Sequence, residues 1–178
     1  ANGAQLFAPV TVEDVAIGPE KVYVRTGEGP VLTARYAVYA TGYEMPTTVR
    51  PTGHTVHSTY AMATQPQPAK LWPEHCHIWE AAAPYLYART TPDGRVICGG
   101  EDEPFQDEDK RDALLAPKTA RLAPKLRRLL PQLDCHAAFA WCGSFGASPT
   151  GLPTIGAIPG RPGCLAIRSR LAGTSCGR

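Results

Sequence analysis

The residues best suited to chemistry lie between positions 75 and 102 of this 178-residue chain. If Tyr85 to Arg89 is a strand, alternation sets Tyr85, Tyr87 and Arg89 on one face, where phenols and a guanidinium can orient a polar small molecule. The same residues equally suit plain packing, with the rings in a core, the hydroxyls at its rim and Arg89 paired with a surface carboxylate. Glu101 and Asp102 would have to converge to do acid–base work. Neighbours along a strand point to opposite faces, so a turn or ion-pair role is expected for them. His75-Cys76-His77 offers metal-binding side chains, but alternate residues of one extended segment do not close a tetrahedral site, and no second cluster accompanies them. No metal is expected.

The bulk properties narrow the partners. A net charge of +2 from 18 basic and 16 acidic side chains gives no general pull on nucleic acid or anionic lipid. Lys118, Arg121, Lys125, Arg127 and Arg128 form a basic stretch without interleaved aromatics, which suits a solvated helix face better than a nucleic-acid site. No apolar run reaches the roughly 18 residues of a membrane span. Six cysteines without a Cys-x-x-Cys pair fit free thiols in a reducing cytoplasm. The opening Ala1-Asn2-Gly3-Ala4-Gln5 has neither an initiating Met nor a basic-then-apolar leader, so the expectation is a cytoplasmic protein whose chain starts upstream. The pattern does not specify an oligomeric state.

The elements that must position these residues follow from periodicity and turn chemistry. Val10-Thr11-Val12, Lys21 to Arg25 and a run from Val31 to Ala40 predict a small meander feeding a buried strand. That strand ends in the small residues Ala40-Thr41-Gly42, where a backbone can approach another group closely. Thr55 to Thr64 predicts a strand within a Pro-, Thr- and His-rich crossing into a second domain. Tyr85 to Arg89, Thr91-Pro92-Asp93-Gly94 and Arg95 to Gly99 predict a hairpin, because Asp-Gly supplies the positive φ of a tight turn. Leucines from Leu114 to Leu133 recur at helical spacing, but Pro117 and Pro124 predict a broken or late-starting helix. Ala138 to Trp141 predicts a short strand, 143–163 a long ordered loop, Cys164 to Ile167 a final strand, and 168–178 a tail without a packing role.

Separated segments together resemble the flavoprotein family of D-amino-acid oxidase, glycine oxidase and sarcosine oxidase. They are Gly3-Ala4-Gln5-Leu6-Phe7 with Val12, Val15, Arg25-Thr26 and Val38-Tyr39-Ala40-Thr41-Gly42; Trp79-Glu80 with Pro84 to Arg89 and Asp93 to Asp102; and Trp141 to Gly146 with Gly151-Leu152-Pro153-Thr154-Ile155-Gly156. The resemblance implies an α+β or α/β chain with part of a Rossmann-like, glutathione-reductase-type FAD-binding domain and an antiparallel-sheet substrate domain. The implied division is 1–45 and 140–167 for the FAD domain, 46–139 for the substrate sheet and helix, and 168–178 for an atypical tail.

By that resemblance, Val12 presents its backbone to the adenine, Ala40, Thr41 and Gly42 pass close to the dinucleotide, and Gly151, Leu152 and Pro153 lie near the flavin ring. Tyr85 is the foremost substrate contact, with Tyr87 and Arg89 beside it. The Gly-x-Gly-x-x-Gly phosphate turn is not in this sequence, which places the pyrophosphate site upstream. Phe145 and Gly146 stand where the family often carries a carboxylate-clamping Arg.

The implied activity is an FAD-dependent oxidation of a C–N bond in a small amine or amino-acid-like molecule by hydride transfer to flavin, with this stretch inactive by itself. The competing expectation, from a different class, is a non-catalytic domain that binds a small molecule or protein and has lost flavin.

Overall fold

The computed structural model describes residues 3–27, 29–42, 54–168 and 172–173. Contacts divide the chain into one unit of Ala1–Thr52 with Leu152–Ser169 and another of Gly53–Gly151 with Arg170–Arg178.

In the first unit, β1 (Val12–Ile17), β2 (Val22–Thr26) and β3 (Leu32–Ala34) form an antiparallel meander. The run expected from Val31 to Ala40 is not one strand. Pairing with β2 ends at Ala34, the chain bends at Arg35, and the Ala37 amide donates to Gly163 O at 2.9 Å. The continuation, β4 (Ala37–Tyr39), lies parallel to β11 (Cys164–Arg168), which is antiparallel to β10 (Thr154–Ala157). Val15, Val22, Ile158 and Cys164 form the unit's small core.

The second unit is built on a six-stranded sheet of order β12-β9-β5-β8-β7-β6. Its centre is β5 (Thr55–Thr64), flanked by β8 (Val96–Glu103) and β9 (Ala137–Ala147); β7 is Leu86–Thr90 and β6 is Ile78–Trp79. The expected hairpin is β7–β8. Its turn is tied by Thr91 Oγ1, which accepts from the Arg95 amide at 2.9 Å and donates to Asp93 Oδ1 at 2.6 Å, while Gly94 takes φ 81°. The long loop expected over 143–163 holds the end of β9 and all of β10. Gly143 and Gly146 stay extended because β5 supplies partners as far as Thr55, opposite Ala147. Ala172–Gly173 in the expected tail forms β12 against Phe145 and Ser144.

One face of this sheet is covered by α2 (Leu115–Leu129), which follows α1 (Glu108–Ala113). Asp107 caps α1 by accepting from the Lys110 amide at 2.8 Å. Pro117 does not delay the helix, since it is the third residue of α2, where an amide needs no helical partner. Pro124 is tolerated inside because it and Ala120, whose carbonyl loses a donor, are both exposed to water. Leu122 and Leu126 are fully buried against Tyr60, Met62, Leu86, Val96 and Cys98, each contributing about 1.5–3 kcal/mol.

The basic stretch is not simply solvated. Lys118 is only 6% exposed, and with Arg121 and Lys125 it grips Glu101, itself 7% exposed; Lys118 also pairs with Glu103. Opposite Ser58 to Tyr60 the β5–β8 register shifts, and Glu101 takes the left-handed φ of 59° that turns its carboxylate toward the helix. The ion-pair role expected for Glu101 is therefore found.

Candidate functional site

The face of the six-stranded sheet away from α2 carries the chemistry-bearing residues. Register places Trp79 beside Tyr87, Tyr87 beside Gly99, Gly99 beside Ala61 and Ala61 beside Trp141, in one row across five strands. Alternation does bring Tyr85 and Tyr87 together: their ring centroids lie 6.5 Å apart. The Trp79 indole stacks on Tyr85 at 4.4 Å with 14° between planes, and lies 6.0 Å from Tyr87. His77 meets the Tyr87 ring edge-on at 5.7 Å. Leu86 and Ala88, the intervening residues of β7, are buried on the helix side.

Arg89 shares the face of Tyr87 and is exposed; among the described residues it makes neither an ion pair nor a hydrogen bond. Burial foremost, then Cys98 and Asp102, pushes the Tyr87 phenol up from 10.0, and Arg89 opposes them. At neutral pH the hydroxyl therefore keeps its proton as a donor. At the far end of the face, Phe145 stacks on His57 at 5.4 Å.

Gly99 makes room for this arrangement, because a Cβ there would collide with the Tyr87 hydroxyl and ring. The obstacle is the far end of a side chain, so Gly99→Ala is expected to fold while pushing Tyr87 off the row. Near-UV circular dichroism should change at unaltered far-UV signal; an unchanged aromatic spectrum would contradict this placement of Tyr87.

The cofactor candidates lie on other strands. Val12 opens β1, opposite Thr26, and is 54% exposed. Ala40, Thr41 and Gly42 follow the carboxyl end of β4. Because β11 is parallel to β4 and antiparallel to β10, Leu152 and Pro153, which lead into β10, lie at the same end of that sheet. Open α/β sheets bind ligands at the carboxyl ends of their parallel strands. Gly42 has φ 63° with no described atom near its missing Cβ, which lets backbone there approach a planar ring, and the Leu152 side chain is 66% exposed. Gly151 turns with φ 70°, its amide donating to Ser148 O at 3.1 Å. Ala40, Thr41, Gly42, Leu152 and Pro153 are the residues that could hold a dinucleotide at that end of the sheet, and Leu6, Phe7 and Val12 are also exposed in that unit.

Other sequence candidates are drawn apart. His75 Nδ1 lies 3.2 Å from Thr90 Oγ1, whereas His77 turns to the aromatic row. Among the described residues, no group of three or more His, Cys, Asp or Glu side chains is placed to hold a metal. A cleft of about 730 Å³ beside the hairpin turn, walled by Pro68, Leu71, His75 and Asp93, lacks converging reactive groups. Buried Cys98 has its thiol pushed up to about 12 by desolvation, then by Cys135, with Lys125 opposing, which makes it an inert core residue.

The DAO family, described as FAD dependent oxidoreductase, matches residues 1–169, and the chain belongs to that family. Its fold, mixed α/β with antiparallel sheets, is that of the family's FAD-binding and substrate domains, and the family's cofactor is FAD. Among solved structures, the open form of NikD, described as an unusual amino acid oxidase essential for nikkomycin biosynthesis, superposes with TM-score 0.74 at 20% identity, over 96% of this chain and 48% of that one. Glycine oxidase from Geobacillus kaustophilus gives 0.73 at 18% identity, over 96% and 45%. Iminodiacetate oxidase from Chelativorans sp. BNC1 gives 0.70 at 16%, over 89% and 43%. The chain thus spans less than half the length of these proteins. No curated protein matches it by sequence. No helix among the described residues is long and apolar enough to cross a membrane.

The sequence marked Trp79 only as part of a motif and led to a turn or ion-pair role for Asp102, which has no ion pair among the described residues. The signal for Trp79 was its place next to the Tyr-x-Tyr strand. For Asp102 no local signal exists, since its orientation depends on the bulge in β8.

Proposed function

We propose that this chain carries the substrate sheet and part of the FAD site of an enzyme that oxidises a C–N bond in a small amine or amino-acid-like molecule. The observation that carries the proposal is the open face of the sheet, where Trp79, Tyr85 and Tyr87 stack and Arg89, on the same face, has no ion pair or hydrogen bond among the described residues. Flavin, when bound, supplies the hydride acceptor. The chain's own residues orient the substrate and keep water out. Arg89 holds an anionic group, the Tyr87 hydroxyl donates a hydrogen bond, and the rings of Trp79 and Tyr85 pack against the carbon skeleton. Backbone at Val12, at Ala40 to Gly42 and at Gly151 to Pro153 would hold the dinucleotide. Because family members need about twice this length, turnover is assigned to the complete protein and not to this stretch alone.

The complete protein, purified without added cofactor, is expected to show bands near roughly 375 and 450 nm that bleach anaerobically with amines. Arg89→Ala is expected to lower kcat/KM about 100-fold, mostly through KM, for substrates with a carboxylate. A colourless folded protein that cannot be reconstituted with FAD would favour the non-catalytic binding domain.

A further inference from the structure

Asp102 stands in a run of acidic residues whose neighbours are both neutralised. Lys118 pairs with Glu101 and with Glu103 beneath the helix. The residue between them is turned to the opposite face of β8, which is the open aromatic face. The influence of Asp102 on the Tyr87 phenol agrees with that placement. There Asp102 Oδ1 is buried, accepts no hydrogen bond, and belongs to a carboxylate with no ion pair among the described residues. A buried carboxylate oxygen without a donor is costly, and a protein retains one where a ligand completes it. Trp79, Tyr85 and Tyr87 present electron-rich faces and edges on that side of the sheet, which attract cations and not anions.

We infer that Asp102 is the recognition group for a positively charged nitrogen of the substrate, which donates an N–H to Asp102 Oδ1 while lying against the Trp79 and Tyr87 rings. The inference rests on the proposed amine chemistry of this face and deepens it: the site selects cationic amines over neutral molecules of the same shape. Asp102 is a binding group here and takes no part in bond breaking. Arg89 lies two residues from Tyr87 on the same face of its strand, so an anionic group and a cationic group of one substrate can be held on that face.

The test is calorimetric titration of the complete protein, as purified, with piperidine, protonated at neutral pH, and with tetrahydropyran, its neutral counterpart in shape. Asp102→Asn keeps the side-chain shape and removes the charge. It is expected to weaken piperidine binding about tenfold or more while leaving tetrahydropyran within about twofold. Its Tm should hold, because Asp102 is partly exposed and no hydrogen bond to Oδ1 is lost with its charge. A merely structural carboxylate would behave oppositely, with a lower Tm and equal losses for both probes, and that result, or unchanged piperidine binding, overturns the inference. The outcome is separable from that of the redox proposal. Charge-dependent binding in a protein without flavin bands upholds Asp102 and defeats the oxidoreductase reading; flavin bands with Asp102-independent binding do the reverse.

Discussion

Replacing Glu101 with alanine is expected to lower the unfolding free energy by about 3 kcal/mol, because it strips a buried lysine of one of its two carboxylates. Lys118 is 6% exposed and, among the described residues, would keep only Glu103, which is 36% exposed. Lys125, 25% exposed, would lose the Glu101 carboxylate as well, whereas Arg121, 64% exposed, would rehydrate at little cost. The pH dependence has a definite sign. Burial acts to raise the Glu101 pKa, but the bonds and charges of Lys125 and Lys118 outweigh it and hold the carboxyl below 4.5. A depressed carboxylate contributes stability that is complete above its unfolded value and lost as pH falls through its folded one. The gap in urea midpoint between wild type and Glu101→Gln, a variant of similar shape, should therefore be full at neutral pH and close as pH falls below 4.5. A gap that stays constant into acid would show that the carboxylate charge is not what stabilises the cluster.

Gly100→Ala is expected to cost about 3 kcal/mol or more. Gly100 sits in β8 between Leu86 and Tyr60 at φ 143°, a region closed to side chains, and an added Cβ would run into the Tyr85 carbonyl oxygen. Unlike the phenol that Gly99→Ala would displace, this obstacle is backbone, held at the entrance of β7 beside the candidate site. The expected result is a large fall in urea midpoint together with loss of the Trp79–Tyr85 stack, read as a changed aromatic circular dichroism. A wild-type midpoint would mean that the sheet yields at this point, and the geometry assigned to Gly100 would be wrong.

These two substitutions mark where sequence reasoning stops. Gly99-Gly100-Glu101-Asp102 was legible as a segment resembling the family, and alternation correctly separated Glu101 from Asp102. Which of the two faces the helix depends on a register shift between β5 and β8, and nothing within a few residues of either carboxylate encodes it. Likewise Pro117 pointed to a late helix because its own propensity was weighed without its position. As the third residue of α2 it needs no helical donor bond.

What the sequence determined by itself are features set by residues a few positions apart. They include the Asp93-Gly94 turn with its hairpin, the strand over Thr55 to Thr64, the shared face of Tyr85, Tyr87 and Arg89, and the motifs that identify the family. Short-range backbone preference and strand alternation suffice for each of these. Only the tertiary structure decided that Gly143 to Ala147 extends β9, that Lys118 is buried against Glu101, that Trp79 joins Tyr85 and Tyr87, and that Asp102 Oδ1 is buried without a hydrogen-bond partner among the described residues. Each of these depends on strand register or helix docking between segments far apart in the chain. Burial and pairing across such distances are settled when the whole sheet closes, not by the preferences of any one residue.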